Sequence, residues 1–202
     1  MAHTLEFFWD FSSPFAYLAA TQVDALAART GATLRDCPML LGAVFKAIGT
    51  DEVPLFRWPE AKRRYILQDV QRWADHWNVP FRFPTRFPVM SLRALRAFLL
   101  LPDDARAAFR RAAFRATWAD DRDLGDDATL GELLGPHAAE VLPRLSSPAA
   151  KEALFASTQR ALDAGVFGAP SFRVDGEHLF WGQDRLPLVE TALRSAAPAN
   201  DG

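Results

Sequence analysis

The sequence predicts an α/β fold: a single sheet whose strands come from the two ends of the chain, separated by a long helical block. Three observations carry this. Strand, helix and strand patterns follow one another within residues 1–40. No strand pattern occurs between about residues 41 and 165. A tight-turn signal, Asp175-Gly176, then sits between two short strand-like runs near the C-terminus. Two strands alone rarely hold together, so the two β portions are expected to pair with each other. The predicted division is a discontinuous α/β unit, residues 1–40 and 165–202, and an all-helical insertion, residues 41–164.

Leu5-Glu6-Phe7-Phe8-Trp9-Asp10 reads as a strand buried on one or both faces. A helix is expected over residues 14–29, with Phe15, Leu18, Ala19, Val23 and Leu26 on its apolar face and Gly31 as its stop. Residues 33–37 form the second strand, parallel to the first through the helical crossover. Ile66, Val70, Trp73 and Trp77 recur at helical spacing and predict a helix over residues 60–77. Pro80, Pro84 and Pro88 then break regular structure. Helices follow over residues 91–101, 103–118, 126–134 and 149–164. Residues 170–174 and 179–181 form the hairpin. A final helix runs from Asp184 to Arg194, with Asp184 as its N-cap.

Composition narrows the function. The chain has 202 residues and a net charge of −2, which argues against a general binder of nucleic acid or membrane surfaces. No segment has the length of a membrane span, and the N-terminus lacks a secretory pattern, which predicts a cytoplasmic protein. The one cysteine, Cys37, allows neither an internal disulfide nor a Cys-x-x-Cys pair, and is expected to be buried as a small apolar residue. His3, His76, His137 and His178 show no ligand spacing, so no metal site is expected.

Three places suggest chemistry. Ser13-Pro14 lies where the first strand meets the first helix. Serine is a favoured N-cap and proline a favoured first helical residue, so Ser13 is either a cap or a hydroxyl aimed at a bound anion such as a thiolate. Ser147-Pro148 has the same form with no chemistry around it, and from the pair alone a cap is the better reading. Pro170 opens a strand after Gly165-Val166-Phe167-Gly168-Ala169 and is a candidate cis proline, against base rates that favour trans. A cis bond there would offer the Ala169 backbone to a peptide-like ligand. At Trp181-Gly182-Gln183-Asp184-Arg185, free amides and the Asp184 carboxylate suit a carboxylate and an ammonium group, or else only a helix cap and an Asp184–Arg185 ion pair. Lys46, Arg82 and Arg86 are candidate contacts for an anionic substrate, or solvated side chains. Phe45, Trp58 and Trp77 are candidate walls of an aromatic site, or core.

Taken in order, Asp10-Phe11-Ser12-Ser13-Pro14-Phe15-Ala16-Tyr17-Leu18, Leu41-Gly42-Ala43-Val44-Phe45-Lys46-Ala47, Lys62-Arg63-Arg64-Tyr65, Asp69-Val70-Gln71-Arg72-Trp73-Ala74, Gly165 to Pro170 and Trp181 to Arg185 resemble the 2-hydroxychromene-2-carboxylate isomerases. That family groups with the kappa-class glutathione transferases and the DsbA-like proteins. The resemblance runs from about Leu5 to about Leu193. It implies a thioredoxin-like fold interrupted by an all-helical insertion domain, and a homodimer. It also implies a glutathione-dependent isomerase of a small aromatic-catabolism intermediate. Ser13-Pro14-Phe15-Ala16 stands where redox relatives carry Cys-x-x-Cys, which excludes disulfide exchange there. The resemblance makes Ser13 the residue that meets the glutathione sulfur. Ala169 and Pro170 would pair with the cysteinyl unit, Gln183 and Asp184 with the γ-glutamyl end, and Lys62 with the glycyl end. Thr50 stands where the family often has asparagine, offering one hydroxyl in place of an amide. A kappa-type transferase or peroxidase acting on another electrophile, and a non-catalytic peptide-binding scaffold, are the alternatives.

Overall fold

The computed structural model describes residues 3–51 and 53–195. Strand β1 (Thr4–Trp9) leads to helices α1 (Pro14–Ala20) and α2 (Val23–Thr30), then to β2 (Thr33–Pro38). The helical block comprises α3 (Leu41–Ala47), α4 (Glu60–His76), α5 (Leu92–Leu100), α6 (Asp103–Trp118), α7 (Asp127–Leu134), the short α8 (Ala138–Val141) and α9 (Pro148–Asp163). Strands β3 (Ser171–Val174) and β4 (His178–Trp181) follow, then a 3-10 turn (Gln183–Arg185) and α10 (Leu186–Ser195). Among the described residues no helix is long and apolar enough to cross a membrane.

The sheet order is β2-β1-β3-β4. β1 pairs parallel with β2 and antiparallel with β3, with Phe7 opposite Phe172 and Phe8 opposite Ser171. The two ends of the chain therefore meet on β1, as the split pattern requires. A strand covered on both faces must be apolar on both. Leu5, Phe7 and Trp9 face the larger core, while Phe8 faces a smaller cluster with Met39, Val44 and Ala161. The Trp9 ring meets Phe98 of α5 edge-on at 5.0 Å, and Phe7 stacks on Phe172 at 5.3 Å. Sheet residues and residues of α5, α6 and α7 belong to one continuous apolar cluster.

Two charged networks are built into that packing. Arg110 of α6 has no exposed surface and bridges Asp24 of α2 to Asp36 of β2, which also accepts from the Trp9 indole at 2.8 Å. Glu6 of β1 is buried and pairs with Arg160 of α9 and, at 2.6 Å, with Arg173 of β3.

Two expectations are corrected. The single helix expected over residues 14–29 is broken into α1 and α2. The Thr21 hydroxyl donates to the Leu18 carbonyl at 2.6 Å, one of the local side-chain bonds that compete with helix continuation. Asp184 does not cap the last helix. It lies inside the 3-10 turn, whose cap position is Gly182 at φ 111°, and α10 begins two residues later.

Candidate active site

The junction between β1 and α1 is fixed from several directions. Ser13 has extended backbone angles and caps α1, its hydroxyl oxygen accepting the Ala16 N–H at 3.1 Å. The same hydroxyl donates to the carbonyl of Ala169 at 3.1 Å. Ser13 is therefore both a cap and a hydroxyl placed against the strand that starts at residue 171. The Ala169-Pro170 bond is cis. The Gly182 N–H donates to the Pro170 carbonyl at 3.0 Å, which draws the Gln183–Arg185 turn to the same place. Ser13 is only 5% exposed and Gln183 4%, whereas Ala169 and Asp184 are half-buried.

The set of free amides expected at the start of the first helix is smaller than the pattern implied. The Ser12 N–H bonds the Asp10 carboxylate at 2.9 Å, and the Ser13 N–H bonds the Asp10 carbonyl at 3.1 Å. Pro14 has no N–H, and that of Ala16 is taken by Ser13. The Phe15 N–H is the one left without a protein partner among the described residues. With α1 only seven residues long, the Ser13 hydroxyl, rather than a helix dipole, is the main donor offered to an anion here.

The other predicted residues divide. Asp184 forms an ion pair with Arg185 at 3.3 Å. Thr50 and Lys62 are exposed, and among the described residues no hydrogen bond links either to Ser13 or Ala169. The Lys62 ammonium lies 4.3 Å over the Trp58 ring. Arg82 pairs with Asp121 at 3.3 Å and Arg86 with Asp123 at 2.7 Å, so both guanidinium groups are engaged by the chain itself. Trp77 packs on Trp73 at 5.0 Å as part of the helical core. Phe45 packs in the small cluster that also contains Ala169. Lys46 is exposed on α3. Burial pushes the Cys37 thiol up to about 12, which removes it as a nucleophile. No group of three or more acidic, histidine or cysteine residues has metal-site geometry among the described residues.

Sequence reasoning missed Asp10. It is 1% exposed, and its second carboxylate oxygen accepts the Leu41 N–H at 2.7 Å, which caps α3 from another element. Burial pushes this carboxyl above the ordinary aspartate range, against hydrogen bonds from Ser91, Leu41 and Ser12 that favour its charged form. The Asp-x-Ser spacing of a side-chain turn was the available signal.

The groups brought together are of the kinds a thiol tripeptide such as glutathione could use: the Ser13 hydroxyl, the half-buried Ala169 backbone beside it, and the Gln183 amide and Asp184 carboxylate on the turn tied to Pro170. Glycine is demanded twice along that path. A Cβ on Gly168 would stand 2.6 Å from the Trp181 indole nitrogen, and one on Gly182 2.5 Å from an Asp184 carboxylate oxygen.

A sheet of this topology with a helical block between its halves, and a hydroxyl facing a cis proline in place of a thiol pair, define a DsbA-like thioredoxin protein without disulfide chemistry at that junction. Accordingly, the family model described as a DSBA-like thioredoxin domain matches residues 4–194. A relative from Sphingobium xenophagum, a 2-hydroxychromene-2-carboxylate isomerase, is 33% identical over 96% of this chain and 99% of its own length. A solved 2-hydroxychromene-2-carboxylate isomerase structure superposes with a TM-score of 0.84 at 32% identity, covering 94% of each chain. A kappa 1 glutathione S-transferase from Caenorhabditis elegans is 25% identical over 98% of this chain and 93% of its own. The chain belongs to the 2-hydroxychromene-2-carboxylate isomerase family.

Proposed function

We propose that this protein is a glutathione-dependent isomerase of the 2-hydroxychromene-2-carboxylate type. The observation that carries this reading is the Ser13 hydroxyl held 3.1 Å from the Ala169 carbonyl, at the junction of β1 and α1. Glutathione, when bound, supplies a thiolate that adds reversibly to a carbon conjugated with a carbonyl, allows rotation about the bond so made single, and leaves unchanged. The Ser13 hydroxyl would donate a hydrogen bond to the sulfur, keeping its own proton, and so favour the thiolate. Ala169 and Pro170 present backbone to the cysteinyl unit. Gln183 and Asp184 hold the γ-glutamyl end, with Asp184 turned from Arg185 to the ammonium. Lys62, exposed, meets the glycyl end, and Thr50, also exposed, offers a hydroxyl to glutathione where the family often has an asparagine amide. The reading includes a homodimer, a small aromatic substrate, a cytoplasmic location, and a thioredoxin-like unit (residues 1–40 and 165–202) distinct from its helical insertion (residues 41–164).

Product analysis tests it. The purified protein is given 2-hydroxychromene-2-carboxylate with and without glutathione. Conversion to the open-chain isomer that needs glutathione, with free glutathione fully recovered, is the expected result. A stable conjugate would mark a transferase, and conversion indifferent to glutathione would remove the mechanism.

A further inference from the structure

Asp10 is a buried carboxyl group with no cation beside it. Among the described residues it forms no ion pair, and the groups that face it are neutral: Ser12 of its own turn, the Leu41 N–H at the start of α3, and Ser91 just before α5. The cations of those helices are directed elsewhere, and none is among the groups that act on the Asp10 carboxyl. Arg93 pairs with Asp127, Arg96 donates to the Leu145 carbonyl at 3.3 Å, and Lys46 is exposed on the last turn of α3. A carboxylate in such a place carries its charge only on hydrogen bonds from neutral donors.

The Asp10 carboxylate accepts the Ser12 N–H at 2.9 Å, one residue before Ser13, and the Asp10 carbonyl accepts the Ser13 N–H at 3.1 Å, so the carboxyl is fixed against the same tight turn. A thiolate that accepts a hydrogen bond from the Ser13 hydroxyl would share that turn, and its low exposure, with a second titratable acid. Two such groups interact as a pair. The ionisation of either raises the proton affinity of the other by the same amount. On the reading given under Proposed function, the second group is the bound thiol.

We propose that Asp10, anchored across the Asp10–Ser13 turn, is a positioning residue whose charge acts through space on the sulfur held at Ser13, so that the carboxyl and the thiol titrate as one coupled pair. Asp10 opposes the Ser13 hydroxyl: Ser13 favours the thiolate, Asp10 restrains it. A thiol whose pKa is not driven far below the ambient pH keeps the greater intrinsic nucleophilicity of its thiolate.

The test is the pH titration of thiolate ultraviolet absorbance for glutathione bound to wild type, Ser13→Ala, Asp10→Asn and Ser91→Ala. Asp10→Asn removes the competing charge, and the thiolate fraction at a fixed pH on the acid side of the transition should rise by up to about tenfold. Ser91→Ala removes one hydrogen bond that favours the Asp10 carboxylate, and should shift the thiol the same way by less. Ser91 makes no capping bond to α5, so this variant spares the helix and decides the matter if Asp10→Asn fails to fold. A bound-thiol pKa that stays put or rises in Ser91→Ala, or in folded Asp10→Asn, overturns the proposal. If Ser13→Ala also leaves the pKa unchanged, the reading of Ser13 falls as well. If Ser13→Ala raises it, only the role of Asp10 is lost.

Discussion

Replacing Ser13 with alanine separates its two tasks. The hydroxyl oxygen caps α1 through Ala16, and the hydroxyl proton bonds Ala169. Loss of an N-cap serine costs about 1 kcal/mol, which for a chain of this size lowers Tm by about 2–4 °C. On the ligand side, a hydrogen bond to a charged group contributes about 1.5–3 kcal/mol, or about one to two pKa units. The structure favours the lower end. The hydroxyl has one proton, already given to Ala169, so thiolate formation exchanges one bond for a stronger one. A rise of about one unit in the bound-thiol pKa is the expected result. Ser147→Ala is the internal control. Ser147 caps α9 by the same geometry, accepting the Ala150 N–H at 3.2 Å, and has no part in the site. It should lower Tm similarly and leave the thiol untouched. The assay pairs thermal melting with thiolate absorbance of bound glutathione. Equal thiol pKa values in Ser13→Ala and Ser147→Ala would refute the assignment, whatever happens to Tm.

Three further outcomes follow from the packing. Arg110→Ala leaves Asp36 without a cation and Asp24 with Arg111 alone, and should cost about 3–5 kcal/mol in urea unfolding, with Arg110→Lys recovering little because one ammonium cannot span both carboxylates. Burial raises the Glu6 pKa, but Arg173 and Arg160 outweigh it and the net shift is downward from 4.5. A depressed folded-state carboxylate contributes stability above its unfolded value and loses it as the pH falls through the folded one. Acid unfolding should thus steepen below pH 4.5 in wild type and flatten there in Glu6→Gln, followed by circular dichroism. Gly182→Ala forces a side chain onto a φ of 111° and into Asp184, costing about 1–3 kcal/mol and weakening glutathione binding by calorimetry.

Much of the architecture was legible because it follows from short-range chemistry. The apolar run at Leu5 to Trp9, the Asp175-Gly176 turn and the Ile66/Val70/Trp73/Trp77 spacing each fall in the elements they predict. The break at Thr21 was not legible, since its hydroxyl bond to Leu18 competes with a helix pattern that is otherwise unbroken. Asp184 failed as a cap because Gly182 bends the chain earlier and a 3-10 turn fills the gap. The meeting of the Ser13 and Ala169-Pro170 segments follows from closing the split sheet, whereas neither residue alone announces the bond between them. Asp10 escaped notice because its partners at Leu41 and Ser91 lie far along the chain, and only folding shows that water is excluded there.

Ser13 and Ala169 are 156 residues apart, and the strand between β2 and β3 must wait for both neighbours. At a synthesis rate of about 5–20 residues per second, the ribosome exposes β1 for several seconds before residue 171 exists. An unfinished polypeptide therefore lacks this pairing: the Ser13 hydroxyl is among the first groups made, and the Ala169 carbonyl that it bonds is among the last.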